Sequence, residues 1–193
     1  QALQLTTLGI NGGFQWSPSG QEIAFASGPI FDQDIWVVPA AGGEAVRLTT
    51  EPGTDWAPSW SPDGAVIAYV ASHGEDIDYD VWTMNATGDA AVALTSGPAS
   101  DQGPVWSPDG HKIAIQSDRG GNWDIWIHDG QWHRLTRTPS IELDPWWEGD
   151  SLVYASNVTG RFQIHEASQR EIGFHAPGGY QGHCLFGLLV QRP

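Results

Sequence analysis

The sequence predicts an all-β protein built from repeated antiparallel sheets, and three observations lead to this prediction. A tryptophan-centred motif recurs along the chain with spacings of 44, 46 and 41 residues. Between the motifs, short runs of β-branched and aromatic residues alternate with turns rich in glycine and proline, a pattern typical of strands joined by hairpins. No segment sustains a helical apolar period over about ten residues.

The first landmark of each repeat is a tryptophan followed by a tight turn. Residues 16–20 read Trp-Ser-Pro-Ser-Gly, and residues 60–64 and 106–110 both read Trp-Ser-Pro-Asp-Gly. A shortened fourth copy starts at Trp147 and lacks the Ser-Pro pair. Each turn leads into an alternating apolar strand, at 23–25, 67–69, 113–115 and 152–154.

Two further landmarks complete each repeat. An Asp-Ile-Trp or Asp-Val-Trp triplet stands at 34–36, 80–82 and 124–126, and a degenerate Gln-Ile-His stands at 163–165. A Leu-Thr pair follows at 48–49, 94–95 and 135–136. Each repeat is therefore predicted to be a four-stranded meander. One such sheet cannot bury both of its faces, so neighbouring sheets must stack, and spacings near 40 to 45 residues are those of β-propeller blades.

Seven of the eleven tryptophans occupy two of these repeat positions. Large aromatic rings that recur at regular positions are expected to be buried in equivalent surroundings, and the interfaces between stacked blades provide such surroundings. We therefore expect Trp60 and Trp106 to lie between adjacent blades. The predicted fold is a β-propeller of about four four-stranded antiparallel blades.

These landmarks resemble the TolB-like, WD-repeat-like propeller repeat, which also occurs in the propeller domains of prolyl-oligopeptidase-type proteases. The resemblance covers roughly residues 3–165. The blade array is predicted to span 1–166, with blades near 8–50, 51–96, 97–137 and 138–172. Residues 167–193 show no repeat and are interpreted as an irregular closing segment or a non-native tail.

Closure of the ring stays open at this point, because relatives of this type usually have six or more blades. The chain could form a compact four-bladed ring, be a fragment of a larger propeller, or share one ring with a second chain. Terminal blades with uncovered apolar faces favour association. We therefore predict a homo-oligomer in which Leu3 to Thr7 pairs with a strand from the far end of the array.

Charge narrows the classes of partner. The chain has 8 Lys and Arg against 23 Asp and Glu, a formal net charge of −15. Such a field repels nucleic acid and anionic membrane surfaces, so neither is an expected partner. Thirteen acids are predicted on the face that carries the loops between blades: Asp32, Asp34, Glu51, Asp55, Glu75, Asp76, Asp78, Asp80, Asp101, Asp118, Asp124, Glu142 and Asp144.

One ring of polar residues is regular enough to suggest a metal site. Five residues before each motif tryptophan stand Asn11, Asp55, Asp101 and Glu142. Equivalent positions converge on the propeller axis, and carboxylate and amide oxygens suit a hard divalent cation such as Ca²⁺, Mg²⁺ or Mn²⁺. The alternative is that each acid caps its own loop through backbone N–H groups. For Asp34, Asp80 and Asp124, a structural hydrogen bond at the start of the third strand is expected.

Two functions follow from these observations. The chain has no Gly-x-Ser-x-Gly nucleophile motif, so the serine hydrolysis of the related proteases is not carried over. The first function is a binding module that presents an acidic, Trp-rich face to a protein or small ligand. The resemblance implies it, because TolB-like proteins are best known for protein partnership in the bacterial envelope, and it also implies a periplasmic or secreted location. The alternative is a metal-dependent hydrolase of esters or phosphoesters that uses carboxylates at the channel mouth.

Overall fold

The computed structural model describes residues 4–10, 12–73 and 78–167. This part of the chain forms fifteen strands. It contains no helix that is long and apolar enough to cross a membrane. Asn11 and residues 168–193 lie outside the described residues, as do the acids Glu75 and Asp76.

The strands form four separate antiparallel sheets, which are the predicted blades. Blade 1 contains β1 (Phe14–Trp16), β2 (Glu22–Ser27), β3 (Asp34–Pro39) and β4 (Val46–Arg47). Blade 2 contains β5 (Gly53–Trp60), β6 (Val66–His73), β7 (Asp80–Asn85) and β8 (Val92–Ala93). Blade 3 contains β9 (Asp101–Trp106), β10 (Ile113–Ser117), β11 (Asp124–His128) and β12 (Trp132–Arg134). Blade 4 contains β13 (Glu142–Glu148), β14 (Ser151–Ser156) and β15 (Gln163–Ala167).

The all-β propeller prediction is confirmed, with one difference in blade 4. Blades 1 to 3 have four strands each, whereas blade 4 has three within the described residues. In every blade each strand pairs with its neighbour in sequence, as a meander requires. Blade 4 is also the blade whose sequence landmarks degenerate, with Gln163 in place of the aspartate that opens the third strand elsewhere.

The Trp-Ser-Pro-Asp-Gly motif forms the hairpin between the first two strands of a blade. In blade 2 the Ser61 hydroxyl donates to Asp63 Oδ1 at 2.6 Å and accepts the backbone N–H of Val66 at 2.9 Å. Gly64 takes a positive φ of 71°, which a residue with a side chain rarely adopts. The hydrogen bond from Ser61 is the main cause of a lowered pKa at Asp63. The motif therefore encodes a turn.

The motif tryptophans pack each blade against the blade before it. Trp60 is only 5% exposed and contacts a core cluster that includes Ala24 and Ala26 of blade 1. The Trp106 indole N–H donates to the Ser59 carbonyl of blade 2 at 3.2 Å, although Trp106 is half-buried rather than fully buried. The Trp147 indole N–H makes the same bond to Val105 of blade 3. Burial of Trp60 confirms the predicted register.

The two end blades remain open. Strand contacts join blades 1 and 2, blades 2 and 3, and blades 3 and 4, but no comparable contact joins blades 1 and 4 within the described chain. Trp16, which no other blade of the described chain covers, is 50% exposed. Residues 4–7 form no strand in this single chain, and Leu5 packs against the cluster of Phe25 and Val38 in blade 1. Pairing of the segment from Leu3 to Thr7 within a homo-oligomer stays a prediction, and Leu3 lies outside the described residues.

Candidate functional site

The two faces of the blade array differ in their exposed apolar side chains. We call loop face the side formed by the segment before β1, the loops between blades and the loops joining the second and third strands of each blade. Seven large apolar residues are exposed there: Leu8, Ile10, Ile30, Phe31, Ile141, Val158 and Phe162. The opposite side, the hairpin face, is formed by 17–21, 40–45, 61–65, 86–91, 107–112, 129–131 and 149–150. Among the described residues of these hairpins, none is an exposed large apolar residue.

Ile30 and Phe31 are the most exposed of these residues, at 78% and 80%. They are the two central residues of a β-turn in which the Asp32 N–H donates to the Pro29 carbonyl at 3.0 Å. Phe31 has a φ of 71°, the positive value that the second central residue of a type II turn requires and that normally selects glycine or asparagine. The sequence analysis missed this pair; an apolar pair directly after Gly-Pro was the available signal.

The turn is fixed at its base by Gly28. This glycine has a φ of 147°, and a Cβ atom at this position would lie 2.3 Å from the Asp32 carbonyl oxygen. Only glycine therefore permits the chain to close the turn this tightly. The local structure holds Ile30 and Phe31 outward.

The carboxylates of the predicted ring lie at equivalent places in three blades. Asp55, Asp101 and Glu142 stand near the starts of the innermost strands, and all three are buried. Their backbone N–H groups donate to the carbonyl just before the third strand of the preceding blade: Asp55 to Gln33 at 2.7 Å, Asp101 to Tyr79 at 2.6 Å and Glu142 to Trp123 at 2.8 Å. The regular spacing in sequence thus reflects a hydrogen bond between blades.

Asp101 is neutralised within the chain. Arg119 donates from Nη2 to Asp101 Oδ2 at 2.6 Å and from Nε to Oδ1 at 3.3 Å. The Arg119 guanidinium carbon lies 5.2 Å from the Trp126 ring centre and 4.7 Å from that of Trp132. A carboxylate and two indole rings thus form a guanidinium site, in which cation–π attraction adds to the ion pair.

The other two carboxylates have different surroundings. Glu142 Oε1 accepts hydrogen bonds from Thr138 Oγ1 at 2.8 Å and from Ser156 Oγ at 2.9 Å. Glu142 Oε2 is buried and has no hydrogen-bond partner in the described chain. At Tyr69, burial above all, and then the negative charge of Asp55, raise the pKa of the phenol well above its usual value.

The structure does not bring the predicted metal ligands into one cluster. No group of three or more His, Cys, Asp or Glu side chains within residues 4–10, 12–73 and 78–167 is placed to hold one ion. Asn11, the fourth predicted ligand, lies outside these residues. A divalent cation would also compete with Arg119 for Asp101. The metal assignment stays a prediction.

A second row of aspartates forms hydrogen bonds within blades 1 to 3, as expected. Asp34, Asp80 and Asp124 each accept a hydrogen bond from the threonine of the Leu-Thr pair, at 3.5, 2.8 and 3.2 Å. The same threonine hydroxyls each accept a hydrogen bond from the backbone N–H of the residue that follows the aspartate. Arg47 and Arg134 add ion pairs in blades 1 and 3 at 2.7 and 2.5 Å, whereas blade 2 has alanine at that place.

Burial raises the pKa of two of these aspartates. Burial is the main cause of a raised pKa at Asp80; the Thr95 hydrogen bond opposes it, and the charge of Asp101 adds to it. At Asp124 burial also raises the pKa, against the hydrogen bond and charge of Arg134.

A groove of about 620 Å³ lies between blades 1 and 2. Its lining includes Leu48 and Glu51 from the loop between the blades and Asp55, Tyr69 and Trp82 from blade 2. It therefore combines carboxylates with aromatic rings, as the Arg119 site of blade 3 does.

Comparison with known proteins agrees with this architecture at the level of the fold. No family model matches the chain. An uncharacterized peptidase, YuxL of Bacillus subtilis (strain 168), is 40% identical over 62 residues, which is 32% of this chain and 9% of the peptidase.

Two solved structures extend the likeness over most of the chain. A putative TolB from Agrobacterium tumefaciens superposes with a TM-score of 0.69 and 27% identity, over 76% of this chain and 54% of that one. A puromycin-hydrolyzing peptidase from Mycobacterium tuberculosis superposes with a TM-score of 0.66 and 18% identity, over 81% of this chain and 29% of that one. The chain thus spans about half of the TolB chain and less than a third of the peptidase. Repeat, sheet topology and structural neighbours together show that this chain has a β-propeller fold similar to the propeller domains of TolB and of prolyl peptidases.

Proposed function

We propose that the chain is a protein-binding module that uses its loop face. The observation behind this proposal is the difference between the two faces. Seven large apolar residues are exposed on the loop face, and no described residue of this kind is exposed on the hairpin face. Apolar side chains gathered on one side of a soluble domain are typical of an interaction surface.

Charge indicates the kind of partner. Asp32, Glu51 and Asp144 are exposed on or near the loop face, and the whole chain has a formal charge of −15. A partner with arginine or lysine around an apolar centre would complement this surface. In the Arg119 site, a guanidinium already forms an ion pair with a carboxylate of this fold and packs on an indole ring. The likeness to TolB is consistent with a protein partner and with a periplasmic or secreted location, both of which belong to this proposal.

Association of copies is part of the same proposal. Trp16 in blade 1 and Trp146 in blade 4 are both about half exposed on the end blades. Blade-to-blade packing inside the array covers the equivalent surfaces, so a second chain could cover them here. A homo-oligomer would leave the loop face accessible.

A metal-dependent hydrolase is the second candidate, and Glu142 is the observation in its favour. Its buried Oε2 has no hydrogen-bond partner in the described chain, which is unusual for a carboxylate oxygen. Asp55, Asp101 and Glu142 would hold a divalent cation, which would supply an activated water. The ion pair of Asp101 with Arg119 and the engaged Glu142 Oε1 favour binding as the main proposal.

A matched pair of charge reversals tests the binding proposal. Peptides would first be selected on the wild-type chain from a random 12-residue library displayed on phage. Their affinities would then be measured for Asp32→Lys/Glu51→Lys on the loop face and for Glu22→Lys/Glu44→Lys on the hairpin side. All four positions are exposed, and both variants change the charge equally.

We expect the loop-face variant to weaken binding about tenfold or more, equivalent to about 1.4 kcal/mol, and the control variant to leave it unchanged. Equal effects of the two variants would contradict a loop-face binding site.

A further inference from the structure

Two sets of exposed apolar residues have different explanations. Phe14, Trp16, Trp146 and Ile164 lie on strands of the end blades, where a neighbouring blade packs elsewhere in the array. Ile30 and Phe31 lie in the loop between β2 and β3, beyond the sheet. Blades stack through their sheets, so no added blade would use this turn as a packing surface. Closure of the propeller ring would therefore not explain why Ile30 and Phe31 are exposed.

The turn also has a residue that is poorly suited to its backbone. Phe31 has a φ of 71° at a turn position where glycine is favoured, and the residue is 80% exposed. The ring gains almost no burial, so the folded chain alone gives no reason for phenylalanine at this place. A strained conformation that holds a large side chain outward is typical of functional loops.

The surroundings of the turn are acidic. Asp32 follows Phe31 directly and is exposed. Glu51 is exposed in the loop between blades 1 and 2, and the Asp55 N–H binds the Gln33 carbonyl at the end of the turn's own loop. The apolar pair is thus joined to the part of the loop face that carries these carboxylates.

We propose that the Ile30–Phe31 turn is the apolar anchor of the loop face and inserts into an apolar pocket, rimmed by arginine or lysine, on a partner protein. This inference rests on the proposed binding function and names the chemistry of its partner. Exposed aromatic side chains that become fully desolvated in a partner's pocket dominate interface energetics, and the flanking carboxylates orient the complex through the basic rim.

The test uses the peptides selected from the random 12-residue phage library on the wild-type chain. Their dissociation constants would be measured by calorimetry for wild type, Phe31→Gly, Ile30→Ser and Val92→Ser. Val92 is the matched control, because it is an exposed apolar residue on the outer strand of blade 2. Phe31→Gly suits the positive φ, so its folding is not at risk, and thermal melting of each variant verifies this.

We expect the selected peptides to combine basic with apolar residues. Phe31→Gly should weaken their binding by about 30-fold or more, as at an interface hot spot, with Ile30→Ser weakening it less and Val92→Ser leaving it within about twofold.

Four outcomes would overturn the inference. Peptides that respond to Asp32→Lys/Glu51→Lys but bind Phe31→Gly as wild type would refute the anchor and leave the binding function standing. Peptides that respond to neither change, or a library that yields no binding peptide, would count against both. Selected peptides that are acidic would contradict the basic rim.

Discussion

Replacing tryptophan at two equivalent repeat positions should give clearly unequal losses of stability. Trp60 and Trp16 both end the innermost strand of a blade and precede the same turn. Trp60 is 5% exposed between blades 1 and 2, whereas Trp16, which no other described blade covers, is 50% exposed. Local structure is matched, so the difference between Trp60→Ala and Trp16→Ala isolates the packing of one blade on the next.

The magnitude follows from the buried area. A tryptophan offers about 250 Å² of surface, and the two exposures differ by nearly half of it. At about 25 cal/mol per Å², this difference corresponds to about 3 kcal/mol. Buried aromatic truncations cost about 3 to 5 kcal/mol, so Trp60→Ala should fall in that range and Trp16→Ala near about 1 kcal/mol.

Urea denaturation of the chain measures both variants. The free energies of unfolding would be compared between variants whose dependence on urea concentration has the same slope. Far-ultraviolet circular dichroism and tryptophan fluorescence would be followed together, to check that the blades unfold as one unit. Equal losses for the two variants would refute the reasoning, because Trp16 would then be buried as Trp60 is. Such a result would point to a second chain covering blade 1.

Three further predictions concern buried or half-buried acids. Arg134→Ala leaves the fully buried Asp124 carboxylate without its ion pair, so it should lower the free energy of unfolding in urea by about 3 kcal/mol. The Arg47 side chain is 41% exposed, so Arg47→Ala should lower it by less than about 1 kcal/mol. Similar losses for the two variants would contradict the idea that burial of the ion pair sets its contribution. Burial raises the pKa of Asp80, so its charge destabilises the folded chain above that pKa. Asp80→Asn should therefore raise the melting temperature at pH 7, and the gain should vanish as the pH falls below the ordinary aspartate value of 3.8; a loss at pH 7 would count against it. If Asp101 helps to bind a divalent cation, Ca²⁺ or Mn²⁺ should raise the melting temperature of the wild-type chain and Asp101→Asn should lose most of that shift, whereas no shift in the wild type would refute the metal assignment.

The repeated parts of the fold could be predicted because several landmarks recur together. The Trp-Ser-Pro-Asp-Gly turn requires serine and aspartate oxygens and a glycine with positive φ, so its chemistry is visible in the sequence. The Asp-Ile-Trp and Leu-Thr landmarks meet in the structure through the threonine hydroxyl, which explains why both recur. A pattern that serves local hydrogen bonding can be read without knowledge of the tertiary structure.

The surroundings of the predicted ring could not be deduced in this way. Equal spacing placed Asp55, Asp101 and Glu142 at equivalent positions, and the structure does so too. Their side-chain partners, however, come from residues that differ between blades. Arg119 reaches Asp101, and Thr138 and Ser156 reach Glu142. Such partners depend on the course of single side chains, which repeat spacing does not encode.

The contrast between recurring and singular residues bears on where function lies. A side chain that recurs at one position in three or four blades, such as the motif tryptophan or the Asp-Thr pair, is explained by packing and hydrogen bonds that every blade needs. The Ile30–Phe31 pair occurs in the loop of one blade alone; the corresponding loop of blade 3 continues from Arg119 with Gly-Gly-Asn. The packing and hydrogen bonds of the repeat do not require this pair, and the positive φ at position 31 is unfavourable for phenylalanine. The backbone at position 31 favours glycine, and the proposed contact with a partner would explain why phenylalanine stands there.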